Sequence, residues 1–111
     1  MTNENAAPFQ TAIAALADPT RRALMDRLRA GPQPVGRLAS GLPVSRPAVS
    51  QHLKVLSDAG LLLVEPRGTR RLYRLAPSGL DDLRRWLDSL WDDALSGFAA
   101  RAREIARETP Q

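Results

Sequence analysis

The chain has 111 residues, 43% of them hydrophobic, with 16 Lys and Arg against 12 Asp and Glu, one histidine and no cysteine. That length suits one domain with one core and is too short for two ordinary domains. The missing cysteines exclude disulfides, thiolate metal sites, a thiol nucleophile and a thioredoxin-type redox centre, and so favour the cytoplasm. The first apolar stretch, Phe9 to Ala17, is short and follows Glu4 rather than basic residues, so neither a signal peptide nor a membrane span is expected.

Lys54 is the only lysine, and the other fifteen cations are arginines. Arginine carries a planar fork of donors suited to phosphates and guanine edges, although a G+C-rich genome also enriches it. Position says more than type. Residues 1–18 carry a net −2 and residues 76–111 another −2, whereas residues 19–75 hold eleven cations against Asp26, Asp58 and Glu65 for a net +8. A basic block between mildly acidic ends is the footprint of a polyanion-binding surface.

Residues 1–8 lack any periodic pattern and read as a tail. Phe9, Ile13 and Leu16 then recur at helical spacing, which predicts a short amphipathic helix ending near Ala17. Asp18 as N-cap, Pro19 at the first helical position, Leu24 and Leu28 on one face, and Gly31-Pro32 as the stop define a second helix. Pro34 opens a shorter third through Val35, Leu38 and Ala39, interrupted by Gly41 to Val44. Ser45 caps a fourth that Gly60 closes, with Pro47 tolerated in its first turn. At about 100° per residue, Val55, Ala48, Ala59, His52, Leu56, Val49 and Leu53 fall on one half of this helix, while Arg46, Ser57, Ser50, Lys54, Pro47, Asp58 and Gln51 occupy the other.

Leu61 to Glu65 and Leu72 to Leu75 read as strands, joined through Arg67-Gly68-Thr69-Arg70, with Pro66 confined to an edge or bulge. Strand alternation sends Arg71 and Tyr73 one way and Arg70, Leu72 and Arg74 the other. Pro77 or Ser78 starts a last helix in which Leu80, Leu83, Leu87, Leu90 and Ala94 alternate steps of three and four, with Trp86, Trp91 and Phe98 adding aromatic bulk. So broad a stripe calls for a partner helix, most simply from a second copy. Trp86 and Trp91 lie about 140° apart and cannot both serve one narrow seam.

Helix, helix, short helix, turn, polar-faced helix, arginine-tipped hairpin and long apolar helix make a helix-turn-helix with a wing: a mainly α fold of about five helices plus a two-stranded hairpin. The domain is expected over residues 9–98, with residues 99–111 as the end of the last helix and a frayed tail. Side chains on the exposed face of such a helix read base edges in the major groove, and a basic hairpin beside it holds phosphates or the minor groove. Arg46, Ser50 and Gln51 suit the first task; Lys54, Arg67, Arg70 and Arg71 suit the second.

Three runs carry a family resemblance: Leu16-Ala17-Asp18-Pro19-Thr20-Arg21-Arg22, Ser45 through Leu56, and Gly68-Thr69-Arg70-Arg71-Leu72-Tyr73-Arg74-Leu75. Together they closely resemble the ArsR/SmtB family of bacterial winged-helix repressors over roughly residues 9–98. The resemblance implies a homodimer built from the first and last helices, bound to a near-palindromic operator. Recognition positions would be Arg46, Pro47, Ser50 and Gln51, and wing positions Arg67, Arg70 and Arg71. The interface would draw on Phe9, Ile13, Leu83, Trp86, Leu87, Leu90, Trp91 and Ala94. Many members sense metals through cysteines before the turn or through Asp and His pairs in the last helix. Here Val35-Gly36-Arg37-Leu38-Ala39 holds no thiolate, and the last helix offers Asp81, Asp82, Asp88, Asp92 and Asp93 but no histidine. No metal response and no cofactor are expected, and the chain is similar to the metal-free branch; for release from DNA, a small molecule between the last helices, a protein partner and autoregulation by concentration are all compatible. Pro43 stands where many relatives place glycine, so Gly41 or another turn shape must make the bend.

Three points stay open in the sequence. His52 suits a packed histidine as well as a DNA contact, and Arg21 and Arg22 suit acids as well as a phosphate. A winged helix used only for protein contact is the alternative function; steep salt dependence on random duplex DNA would separate the two. No enzyme is expected, because a Ser-His-Asp set would take His52 from a helix it packs, no Gly-rich phosphate loop exists, and Asp81-Asp82 and Asp92-Asp93 diverge on their helix.

Overall fold

The computed structural model describes residues 8–108. The expected tail over residues 1–8 therefore lies outside the described residues, except for Pro8, as do residues 109–111. Helix α1 spans Pro8–Ala15, two residues short of the expected end, because residues 16 and 17 are spent in the turn into α2. Helix α2 covers Pro19–Arg27 and continues as a 3-10 turn over Leu28–Ala30. The carboxylate of Asp18 accepts the backbone N–H of Thr20 at 2.8 Å and of Arg21 at 3.1 Å. These two bonds use donors a helix start leaves unpaired.

The Arg21 N–H is the main cause holding the Asp18 carboxyl below its ordinary value of 3.8. Stability from this cap is therefore complete above that value and is lost as pH falls through the lower value of the folded chain. Asp18→Asn keeps the acceptor without the charge, so the variant should show a flatter acid limb of melting temperature against pH than the parent. An identical limb would show that the cap carries none of the acid sensitivity.

A two-residue strand, β1 (Gln33–Pro34), leads into α3 (Val35–Ala39), and α4 runs over Arg46–Asp58. Between α3 and α4 the bend is made by Gly41 at φ +77°, leaving Pro43 an ordinary backbone. Helix α4 ends in a paired-carbonyl cap: Gly60 at φ +79° donates to Ser57 O at 3.0 Å, and Leu61 donates to Leu56 O at 3.0 Å. Strands β2 (Leu62–Arg67) and β3 (Arg70–Leu75) pair antiparallel from Leu62↔Leu75 to Arg67↔Arg70. Only Gly68 has positive φ in their two-residue turn, as a II′ turn requires. Pro66 sits on edge strand β2, in the sheet order β1-β3-β2. The hairpin expected to stand alone is thus a three-stranded sheet, with Gln33 opposite Tyr73 and Pro34 opposite Leu72.

The core gathers Ala12 and Ala15 of α1, Leu24 and Leu28 of the second helical segment, Leu38 of α3, Val49, Leu53 and Leu56 of α4, and Leu61 and Leu62 beyond it. Spacing of i, i+4 and i+7 gives α4 one narrow buried stripe. Val55, expected on the apolar half, is 41% exposed at its flank. Helix α5 is continuous over Pro77–Glu108, so residues 99–108 extend it without a break. Its start lies so close to the α4–β2 turn that a Cβ on Gly79 would overlap the Gly60 carbonyl.

None of the 32 residues of α5 is fully buried. A helix of that length spans roughly 48 Å, and the radius of gyration of 19.9 Å far exceeds the roughly 13 Å of a compact chain of this size. Among the described residues no helix is long and apolar enough to cross a membrane.

Candidate nucleic-acid interface

Helices α3 and α4 meet the wing around an open cleft of about 1090 Å³. Arg37 of α3, Arg46, Ser50 and Lys54 of α4, and Arg70 and Arg71 of the wing line it, with Val64 and Tyr73 on its wall. Val64 and Tyr73 are opposite each other in the β2–β3 register, so they share one sheet face with Arg71. Five cations and no carboxylate line this cleft.

Lys54 is held by Asp58, and why the four arginines of the cleft remain available follows from where the other cations go. Arg21 donates from Nε to the Ala15 carbonyl, and Arg22 reaches Leu16 O at 2.7 Å and Ala17 O at 3.1 Å, so both close the C-terminal end of α1. Arg27 donates to Leu38 O at 3.0 Å and to the Ser40 carbonyl, tying α2 to the end of α3. Each acid of the basic block holds one cation: Asp26 with Arg29 at 3.3 Å, Asp58 with Lys54 at 2.8 Å, and Glu65 with Arg74 at 2.8 Å. The Asp58 hydrogen bond also raises the Lys54 ammonium above its ordinary 10.5. That leaves Arg37, Arg46, Arg67, Arg70 and Arg71 without a carboxylate partner among the described residues.

All eight residues expected at the interface are exposed. Arg46, Ser50, Lys54, Arg70 and Arg71 converge on the cleft, whereas Pro47 and Gln51 stand on the open side of α4 and Arg67 on the hairpin tip outside the cleft. Arg74 is paired with Glu65 and takes no part. His52 is half-buried and turned towards α2, its Nδ1 3.4 Å from an Arg21 guanidinium nitrogen, so it is a packing residue between the two helices.

Sequence reasoning missed Arg37 and Gly36. Arg37 has no acid within four positions on either side, the signal that could have marked it as free. Gly36 underlies Arg46: a Cβ at Gly36 would stand 3.4 Å from a guanidinium nitrogen of Arg46. The bare backbone of α3 thus forms the floor on which Arg46 rests.

A helix-turn-helix braced by Arg27, an exposed second helix and a basic hairpin flanking it define a winged helix-turn-helix DNA-binding protein. A helix-turn-helix domain family matches residues 16–65. The HTH-type transcriptional regulator Rv2034 of Mycobacterium tuberculosis is 61% identical over 85 residues, covering 77% of this chain and 79% of that protein. An ArsR-like transcriptional regulator from Rhodococcus sp. RHA1 superposes with a TM-score of 0.76 at 31% identity, over 93% of this chain and 96% of that one. The homodimeric winged helix-turn-helix DNA-binding domain of Mb0332 from Mycobacterium bovis gives a TM-score of 0.61 at 25% identity, over 84% and 89%. The chain belongs to the ArsR/SmtB family of helix-turn-helix transcriptional regulators.

Proposed function

We propose that this chain is a homodimeric repressor of the bacterial cytoplasm that occupies a near-palindromic operator and so blocks transcription. In this reading the first turns of α4 enter the major groove, where Arg46, Ser50 and Gln51 read base edges beside Pro47. Lys54, Arg67, Arg70 and Arg71 hold phosphates or the adjacent minor groove, and Arg37 joins them from α3. The observation that carries it is the cleft itself: four arginines without a carboxylate partner among the described residues, joined by Lys54, converge where α3, α4 and the wing meet.

The apolar face of α5 supports the dimer. Leu87, Leu90 and Trp91 are 51%, 48% and 65% exposed, and Ile13 of α1 is 38% exposed. Trp86 is half-buried against Phe9, the rings stacked at 4.9 Å with planes 10° apart, so this pair fixes α1 on α5 and presents the edge of the seam. Leu83 and Ala94 continue the stripe at either end.

Selection from randomised duplexes followed by anisotropy titration tests the base-reading role. Gln51→Ala should cost about 1–3 kcal/mol at one base position and relax preference there. Unchanged preference would remove Gln51 from the reading set. Absence of binding to any duplex at low salt would defeat the repressor reading and leave a protein-contact module.

A further inference from the structure

Of the chain's seven glycines, four hold positive φ and Gly79 packs against the Gly60 carbonyl. Gly36 does neither. It is the second residue of α3, exposed and without positive φ, where any good helix former would serve better than glycine. The three atoms nearest to where its Cβ would stand all belong to the Arg46 guanidinium: Nη2 at 3.4 Å, Cζ at 3.6 Å and Nη1 at 3.8 Å.

Distances so nearly equal mean that the flat face of the guanidinium, not its edge, covers Gly36. The donors of a guanidinium lie in its plane, so the face is turned to α3 while the N–H edge stays free for the cleft. Among the described residues no carboxylate holds Arg46, so what α3 offers this side chain is space. A methyl group at position 36 would touch the face at ordinary van der Waals distance. A β-branched side chain there would press two γ-carbons into the room the guanidinium occupies.

Around α4, Arg46 lies about 40° from Ser50 and about 140° from Gln51. Arg46 and Ser50 line the cleft, whereas Gln51 stands on the open side. The expected base-reading residues thus occupy two flanks of one helix, and α3 touches only the flank of Arg46.

We infer, resting on the repressor reading, that Gly36 is a specificity-determining position that acts through Arg46: its missing side chain lets the guanidinium lie back on α3 with its N–H edge held for a guanine. A long arginine side chain left free settles on phosphates, which attract it whatever the sequence. Bidentate pairing with O6 and N7 of guanine needs the fork kept in one orientation. Confinement over Gly36 supplies that orientation before DNA arrives.

A size series at position 36, read by selection from randomised duplexes, tests this. Gly36→Ala should keep the base preference of the parent. Gly36→Val should relax preference about tenfold at the base position that Arg46→Ala also relaxes, leave the position relaxed by Gln51→Ala unchanged, and add nothing in an Arg46→Ala background. Alanine and valine both suit a helix better than glycine, so neither variant should melt below the parent, and loss of preference in Gly36→Val is then not loss of fold. Unchanged preference in Arg46→Ala or in Gly36→Val overturns the inference and leaves the repressor reading standing. Equal weakening of Gly36→Val on every duplex overturns it as well, because Arg46 would then be a phosphate ligand. A parent chain that binds no duplex at low salt overturns both.

Discussion

Replacing Leu87 and Leu90 together by aspartate should convert the protein to a folded monomer and reduce operator affinity by three orders of magnitude or more. Both side chains are about half exposed in the single chain, so the core does not depend on them. In a symmetric dimer each substitution counts twice. Burying a fully exposed leucine contributes about 1.5–3 kcal/mol, of which about half remains for these side chains, so four lost leucines remove about 3–6 kcal/mol, and four carboxylates placed in an apolar seam add to that loss. A monomer then holds one half-site at a time and loses the gain from two linked contacts. Unaltered circular dichroism with a halved sedimentation mass and weak binding is the expected set of results. A dimer of undiminished mass would refute the seam.

Removing three wing cations, as Arg67→Ala, Arg70→Ala and Arg71→Ala together, should weaken binding to every duplex alike. Each phosphate neutralised contributes about 0.9 to the slope of log K against log salt, so the triple variant should have a slope shallower by about 2.7. At 0.1 M salt that corresponds to a loss of about 10²–10³-fold, with base preference intact. An unchanged slope would take the hairpin off the DNA. A changed base preference would make the wing a reader rather than a clamp.

These two predictions draw on different parts of the sequence signal. The α5 stripe was legible because a 3.6-residue period needs no knowledge of neighbours, and the basic block because charge is a count. Allocation of the arginines was not. Arg21, Arg22 and Arg27 are indistinguishable in composition from Arg46 and Arg70, and only the fold places helix C-terminal carbonyls within their reach. His52 was equally undecidable until α2 was seen to pack against it.

The residues alone determined the five helices, the hairpin and their order. Asp18 and Ser45 as caps, Pro19 at a helix start, Gly60 and Gly68 at positive φ and the apolar periods all act within a few positions along the chain. Tertiary structure alone decided the rest: that Gln33 and Pro34 add a strand beside Tyr73, that Gly36 carries Arg46, that Arg37 enters the cleft, and that Val55 leaves the core. Each of these is a contact between segments distant in sequence. A two-residue strand has no period to betray it, and a glycine's missing Cβ acquires meaning only from the atom that occupies its place.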